Sequence, residues 1–127
     1  MITKGVAEMV AEASAVITTY TAEAAIAMSG GSDVLLVDIR DVRELSRDGR
    51  VPGALHAPRG MLEFWVDPNS RYFKSVFGED KKFVLFCAGG GRSALAALAL
   101  QNMGLEKVSH IGSGFHGWRD AGGEVLT

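Results

Sequence analysis

Two runs of consecutive apolar residues stand out along the chain, Val34–Val37 within DVLLVDIR (33–40) and Phe83–Phe86 within KFVLFC (82–87). Neither alternates with polar residues, so each predicts a strand buried on both faces, as in a parallel sheet covered by helices. VITTY (16–20) and KVSHI (107–111) read as shorter strands. RVPGALHAP (50–58) reads as turn, short strand, turn, because its prolines deny the strand length. Helical spacing appears between these runs. Residues 5–14 place Val6, Val10 and Ala13 on one side and Glu8 and Glu12 on another. TAEAAIAM (21–28) has Thr21 as its N-cap and stops at Gly30-Gly31. DVRELSRDG (41–49) starts at Asp41 and ends at Gly49. Residues 60–66 and 70–77 read as short helical turns separated by Pro68-Asn69. SALAALALQNM (93–103) is apolar almost all round, which predicts a helix buried on more than one side, with Gly104 after its end. GFHGWRDAGG (114–123) reads as a closing helix. Strands and helices alternate, so the predicted class is α/β with a mostly parallel sheet.

Composition narrows the picture. A chain of 127 residues suits one domain and buries roughly two-thirds of its unfolded surface, so its core needs neither disulfide nor metal. The charge is −2 and basic residues do not cluster, which argues against a nucleic-acid partner. No apolar run reaches the roughly 20 residues of a membrane span. Glu8 and Glu12 interrupt what a signal peptide would keep apolar. A single cysteine forms no internal disulfide, and the expected compartment is the reducing cytoplasm.

That cysteine is the candidate for chemistry. Cys87 ends the second buried strand, at the sheet edge where sites in open α/β domains gather. Ala88, Gly89, Gly90 and Gly91 connect it to Arg92-Ser93 and the buried helix. Three glycines in succession suggest a tight path with unshielded N–H groups, able to form a concave nest of donors. The helix adds its N-terminal partial positive charge. A thiol held there loses its proton more readily than a free one, whose pKa is about 8.5. Arg92 is a cation in a first helical turn, a place that favours it only when an anion sits nearby. The plain alternative is an inert, buried cysteine beside a flexible connection.

Taken in order, VLLVDIRDVREL, GRVPGALHAP, CAGGGRS and HIGSGFHGWRDAGGEV resemble the motifs of the single-domain rhodanese-like sulfurtransferases. The resemblance covers nearly the whole chain from about Val16, which makes residues 16–127 the rhodanese-like domain and 1–15 an N-terminal helical extension. That extension has two places to pack, its own domain or a second subunit of a homodimer. The resemblance implies a three-layer α/β domain, a central parallel sheet with helices on both faces. It also implies a cofactor-free reaction in which Cys87 takes sulfane sulfur from a donor, becomes a persulfide, and passes the sulfur to a thiol or other thiophilic acceptor. The donor is a small sulfur compound or a protein persulfide. Loop length bears on the branch. Four residues separate Cys87 from Arg92, whereas the phosphatases and arsenate reductases related to this fold have five. The shorter loop favours sulfur over a tetrahedral oxyanion. The chain also departs from thiosulfate-using members: Ala88 and Gly89 are uncharged where those carry basic residues. Glu44 stands where another basic contact is found, and Gly91 replaces a frequent aromatic. Thiosulfate is therefore expected to be a weaker donor than a persulfide.

Other residues carry a functional and a plain reading side by side. Asp38 and Arg40 alternate at the end of the first buried strand, as support for the loop or as a structural ion pair. Arg59, Phe64 and Trp65 are candidates for a substrate rim; Arg59 reads more readily as a solvated loop residue, and the two aromatics equally as core or partner contacts. His56, His110 and His116 lack metal-ligand spacing and read as structural histidines. Ser93 either caps its helix or donates to the sulfur anion, and Trp118 anchors the closing helix. Beside sulfur transfer stand two other classes, a catalytically silent or sensory binding module and an oxyanion enzyme such as a phosphatase or arsenate reductase.

Overall fold

The computed structural model describes residues 1–127. Its strands are β1 (Thr18–Tyr20), β2 (Val34–Asp38), β3 (Leu55–His56), β4 (Lys82–Phe86) and β5 (Val108–Ile111). They form one sheet in the order β1-β5-β4-β2-β3, and every neighbouring pair is parallel. The two strongest apolar runs, β2 and β4, lie side by side in the interior of the sheet, and the short strands β1 and β3 take its edges. The helices are α1 (Val6–Val16), α2 (Ala22–Met28), α3 (Val42–Asp48), α4 (Leu62–Val66), α5 (Gly91–Asn102) and α6 (Gly114–Asp120).

Strand alternation divides the core in two. Val37, Phe83, Leu85, Cys87 and Val108 face one side, where they pack with Ala94, Ala97 and Leu100 of α5 and Ala13 of α1. Leu36, Val84, Phe86 and Ile111 face the other side, with Ala22 and Ala25 of α2 and Phe115 and Trp118 of α6. This is the three-layer α/β arrangement that the resemblance implies. Helix α5 is lined with alanine on its buried side, which lets it approach the sheet closely and explains why it is apolar almost all round.

Boundaries shift for local reasons. Arg40 lies past the end of β2, although Ile39 still donates its N–H to the Phe86 carbonyl at 3.0 Å. Helix α5 starts at Gly91, two residues before the apolar run, because Gly90 turns the chain with φ 107°. The predicted turn at 70–77 is replaced by a shorter 3-10 turn, shifted to Ser75–Gly78. Helix α3 carries a full capping box, with the Asp41 side chain on the Arg43 N–H and the Glu44 carboxylate on the Asp41 N–H at 3.0 Å.

Candidate active site

Cys87 stands one residue beyond β4, its side chain on the α5 side of the sheet and only 1% exposed. The loop closes over the sulfur. The N–H of Gly90 donates to Sγ at 3.1 Å and that of Ser93 at 3.4 Å, and the Ser93 hydroxyl lies 3.6 Å away. Burial pushes the thiol pKa up, but the Ser93 hydroxyl and the N–H groups of Ser93, Gly90 and Gly89 outweigh it, and the net shift is downward. The surface cavities of about 440, 340 and 480 Å³ are lined by residues other than Cys87 and its loop.

The loop's shape is held from behind by the first turn of α6. Phe115 N–H donates to the Cys87 carbonyl at 2.8 Å and His116 N–H to the Ala88 carbonyl at 3.1 Å. With those carbonyls drawn backward, the following N–H groups are free to face the sulfur. Two glycines make this approach possible. Gly114, at φ 64°, would place a Cβ 2.5 Å from the Ala88 oxygen. Gly90 would place one against the Gly112 carbonyl. The CAGGGRS and HIGSGF stretches are thus two halves of one construction. The groups of the second half that do this holding are backbone N–H donors, which composition and spacing cannot single out.

Arg92 turns outward from the nest. Its guanidinium grips Glu44 of α3 with two hydrogen bonds, at 2.8 and 3.1 Å. That contact is the first cause of the raised Arg92 pKa, with a smaller part from the nearby Cys87 sulfur. The expected cation beside the thiol is therefore present but already shared with a carboxylate. Glu44 is correspondingly held below the usual carboxylate range, first by Arg92.

Asp38 and Arg40 form a buried pair, joined at 2.8 Å through Oδ2 and Nη2 and at 3.0 Å through Oδ1 and Nε. Arg40 also donates to the Gly49 carbonyl at 2.9 Å and stacks 4.0 Å from the centre of the Phe115 ring. The pair lies on the sheet face opposite the sulfur, and Arg40 stacks on Phe115, whose N–H holds the Cys87 carbonyl. Arg59 pairs with Glu63 at 2.7 Å, Trp65 lies under the Lys74 ammonium at 4.9 Å, and the exposed Phe64 meets Tyr72 edge-on. No hydrogen bond joins these three to the loop. His56 meets the Arg40 carbonyl at 2.7 Å, and His116 is exposed on α6.

His110 is the neighbour that residue type alone undervalued. It is 2% exposed, and its Nδ1 lies 2.8 Å from the Ser93 hydroxyl that touches the sulfur. KVSHI placed it on β5, but only the packing of α5 over that strand brings it to Ser93.

The chain resembles proteins of known structure over its whole length. A Rhodopseudomonas palustris protein of unknown function, called a possible tyrosine phosphatase, is 57% identical with a TM-score of 0.96, covering 99% of this chain and 97% of that one. The polysulfide-sulfur transferase homodimer of Wolinella succinogenes is 27% identical with a TM-score of 0.73, covering 93% and 84%. The mouse thiosulfate sulfurtransferase/rhodanese-like domain-containing protein 3 is 25% identical over 91 residues, which are 68% of this chain and 58% of that protein. The chain thus spans little more than half the length of this mouse relative. The rhodanese-like domain family matches residues 21–121, so the parallel sheet, the glycine loop and the cysteine at its start are those of a member of the rhodanese-like family.

Proposed function

We propose that this protein is a sulfurtransferase in which Cys87 carries sulfur as a persulfide. The observation that carries the reading is the convergence of loop N–H groups on one buried sulfur, with Gly90 at 3.1 Å and Ser93 at 3.4 Å. Such donors stabilise a sulfur anion without supplying a proton to it. The Cys87 thiolate attacks the outer sulfur of a donor. The donor's S–S bond breaks, and its inner sulfur leaves as a thiolate, or as sulfite when the donor is thiosulfate. The Cys87 persulfide rests against Gly89 to Ser93 until an external thiol attacks its outer sulfur and regenerates the thiolate.

The charges around the loop select the donor. Ala88 and Gly89 are uncharged, and Glu44 occupies both terminal nitrogens of Arg92. A dianion gains little there, so a low-molecular-weight or protein persulfide is the preferred donor. Arg59, Phe64 and Trp65 are the proposed rim that meets it. The lone free thiol suits a reducing compartment, here the cytoplasm. Helix α1 packs on its own domain through Ala13, so the fold does not itself call for a homodimer.

Phosphate-ester hydrolysis is the second reading, favoured by the Rhodopseudomonas protein called a possible tyrosine phosphatase. The four-residue loop and the engagement of Arg92 by Glu44 weigh against it, since an oxyanion needs that guanidinium free. The deciding experiment is intact mass spectrometry after incubation with glutathione persulfide, and separately with thiosulfate, beside Cys87→Ser. One added sulfur atom, removable by cyanide or thiol and absent in Cys87→Ser, is the expected result. No added sulfur, together with hydrolysis of an aryl phosphate, would replace the proposal with the phosphatase reading; neither activity would leave the binding module.

A further inference from the structure

A line of polar side chains leads away from the buried sulfur through the α5 face of the sheet. Cys87 Sγ lies 3.6 Å from Ser93 Oγ, Ser93 Oγ lies 2.8 Å from His110 Nδ1, and His110 Nε2 lies 3.1 Å from Thr19 Oγ1. Ser93 and His110 are buried, at 0% and 2% exposure, while Thr19 is exposed. The line follows from register. Thr19 and His110 are partners across β1 and β5, and His110 and Leu85 are partners across β5 and β4. Cys87 lies two residues beyond Leu85 on the same face, and α5 sets Ser93 above them. Thr19 opens into a surface cleft of about 340 Å³ that Tyr20, Glu23, Gly112 and Ser113 also line.

We propose that Ser93, His110 and Thr19 form a proton conduit, which carries the Cys87 thiol proton to solvent and leaves the Ser93 hydroxyl pointing at the sulfur anion. With the thiol protonated, Sγ–H donates to Ser93, Ser93 donates to Nδ1, and Nε2–H donates to Thr19. Ionisation reverses every bond. The sulfur's proton passes to Ser93 Oγ, the Ser93 hydrogen to Nδ1, the Nε2 hydrogen to Thr19, and the Thr19 hydrogen to water. One proton leaves the protein, and His110 has exchanged one neutral tautomer for the other. Now Ser93 O–H donates to the thiolate, Nδ1–H donates to Ser93, and Thr19 donates to Nε2. No buried imidazolium is required. Burial alone holds the His110 pKa down, with no carboxylate opposing it, so the ring is neutral and suited to this exchange. The groups that face the line are Thr19 from β1, Ser93 from α5 and Leu85 from β4, with Glu23 and Tyr20 at the outer cleft. At the inner end, the charges beside Cys87 are Arg92 and its partner Glu44. The Gly90 carbonyl, 3.2 Å from Ser93 Oγ, is the competing acceptor for the Ser93 hydrogen. His110 is a positioning residue here: it acts on the sulfur through Ser93.

The conduit concerns how Cys87 ionises, which any chemistry of that sulfur needs, so its test contains no sulfur donor and can fail separately from sulfur transfer. Protein with ¹⁵N-labelled histidine is titrated while the ring nitrogens of His110 are followed by NMR and the thiolate by ultraviolet absorbance. The expected result is an exchange of the protonated nitrogen from Nε2 to Nδ1, with its midpoint at the thiol pKa. In Cys87→Ser the ring holds one tautomer throughout. In Ser93→Ala the thiol still titrates against the loop N–H groups, but the tautomer no longer follows it. A single tautomer across the wild-type thiol titration would overturn the proposal, as would a ring protonated on both nitrogens or a tautomer that still follows the thiol in Ser93→Ala.

Discussion

Replacing Gly90 with alanine tests whether the loop's backbone sets the reactivity of Cys87. Gly90 sits at φ 107°, and its added Cβ would run into the Gly112 carbonyl. The left-handed conformation alone costs an alanine about 1–2 kcal/mol. The clash forces the residue to move, and with it the N–H that donates to Sγ at 3.1 Å. A hydrogen bond to a charged group contributes about 1.5–3 kcal/mol, and one pKa unit corresponds to about 1.36 kcal/mol. Loss of this donor should therefore raise the thiol pKa by roughly one to two units. At a pH below both values, alkylation of Cys87 by iodoacetamide should slow by about tenfold to a hundredfold, as fewer molecules carry the thiolate. The assay is the pH profile of alkylation, beside urea unfolding to measure the strain. Gly89→Ala is the control: its Cβ would meet nothing within 4 Å and its N–H is retained, so both readouts should stay close to wild type. A Gly90→Ala protein that is destabilised but titrates its thiol like wild type would refute the claim that this N–H controls the anion.

Three further outcomes follow from the same geometry. Glu44→Gln keeps an oxygen for the Asp41 N–H in the capping box but releases Arg92 from its carboxylate, so the thiol pKa should fall and loading from thiosulfate should rise relative to loading from a persulfide; persulfide mass spectrometry with paired donors reads this, and an unchanged donor ratio would count against the charge argument. Asp38→Ala leaves Arg40 charged and buried, where its Nη1 already lacks a partner, and should cost about 3–5 kcal/mol in urea unfolding while the folded fraction keeps wild-type alkylation, because the pair lies on the opposite sheet face. The lowered Cys87 pKa gives a signed pH dependence: its thiolate adds stability in full above the ordinary thiol value of about 8.5, and that stability is lost as pH falls through the lowered folded value. The stability of wild type relative to Cys87→Ala should rise with pH across that window, and a flat difference would show that the fold does not favour the anion.

Much of this protein is written in local pattern. The runs VLLVD and KFVLF determine two strands buried on both faces, because no polar alternation leaves either face for water. Thr21, Asp41 and the glycines that end helices mark boundaries through hydrogen bonds made within a few residues. Cys87, its glycines and the helix behind it were legible for the same reason: strand, loop and helix N-terminus are contiguous. Tertiary structure decided what depended on other elements. Glu44 reaches Arg92 across 48 positions, and so converts the expected free cation into half of an ion pair. The Phe115 and His116 N–H groups hold the loop from behind, through the Cys87 and Ala88 carbonyls, whose direction no composition records. His110 looked like an ordinary buried histidine until α5 laid Ser93 over β5. Side-chain type and period specify which face a residue occupies, whereas its partner across that face is set by how the layers stack.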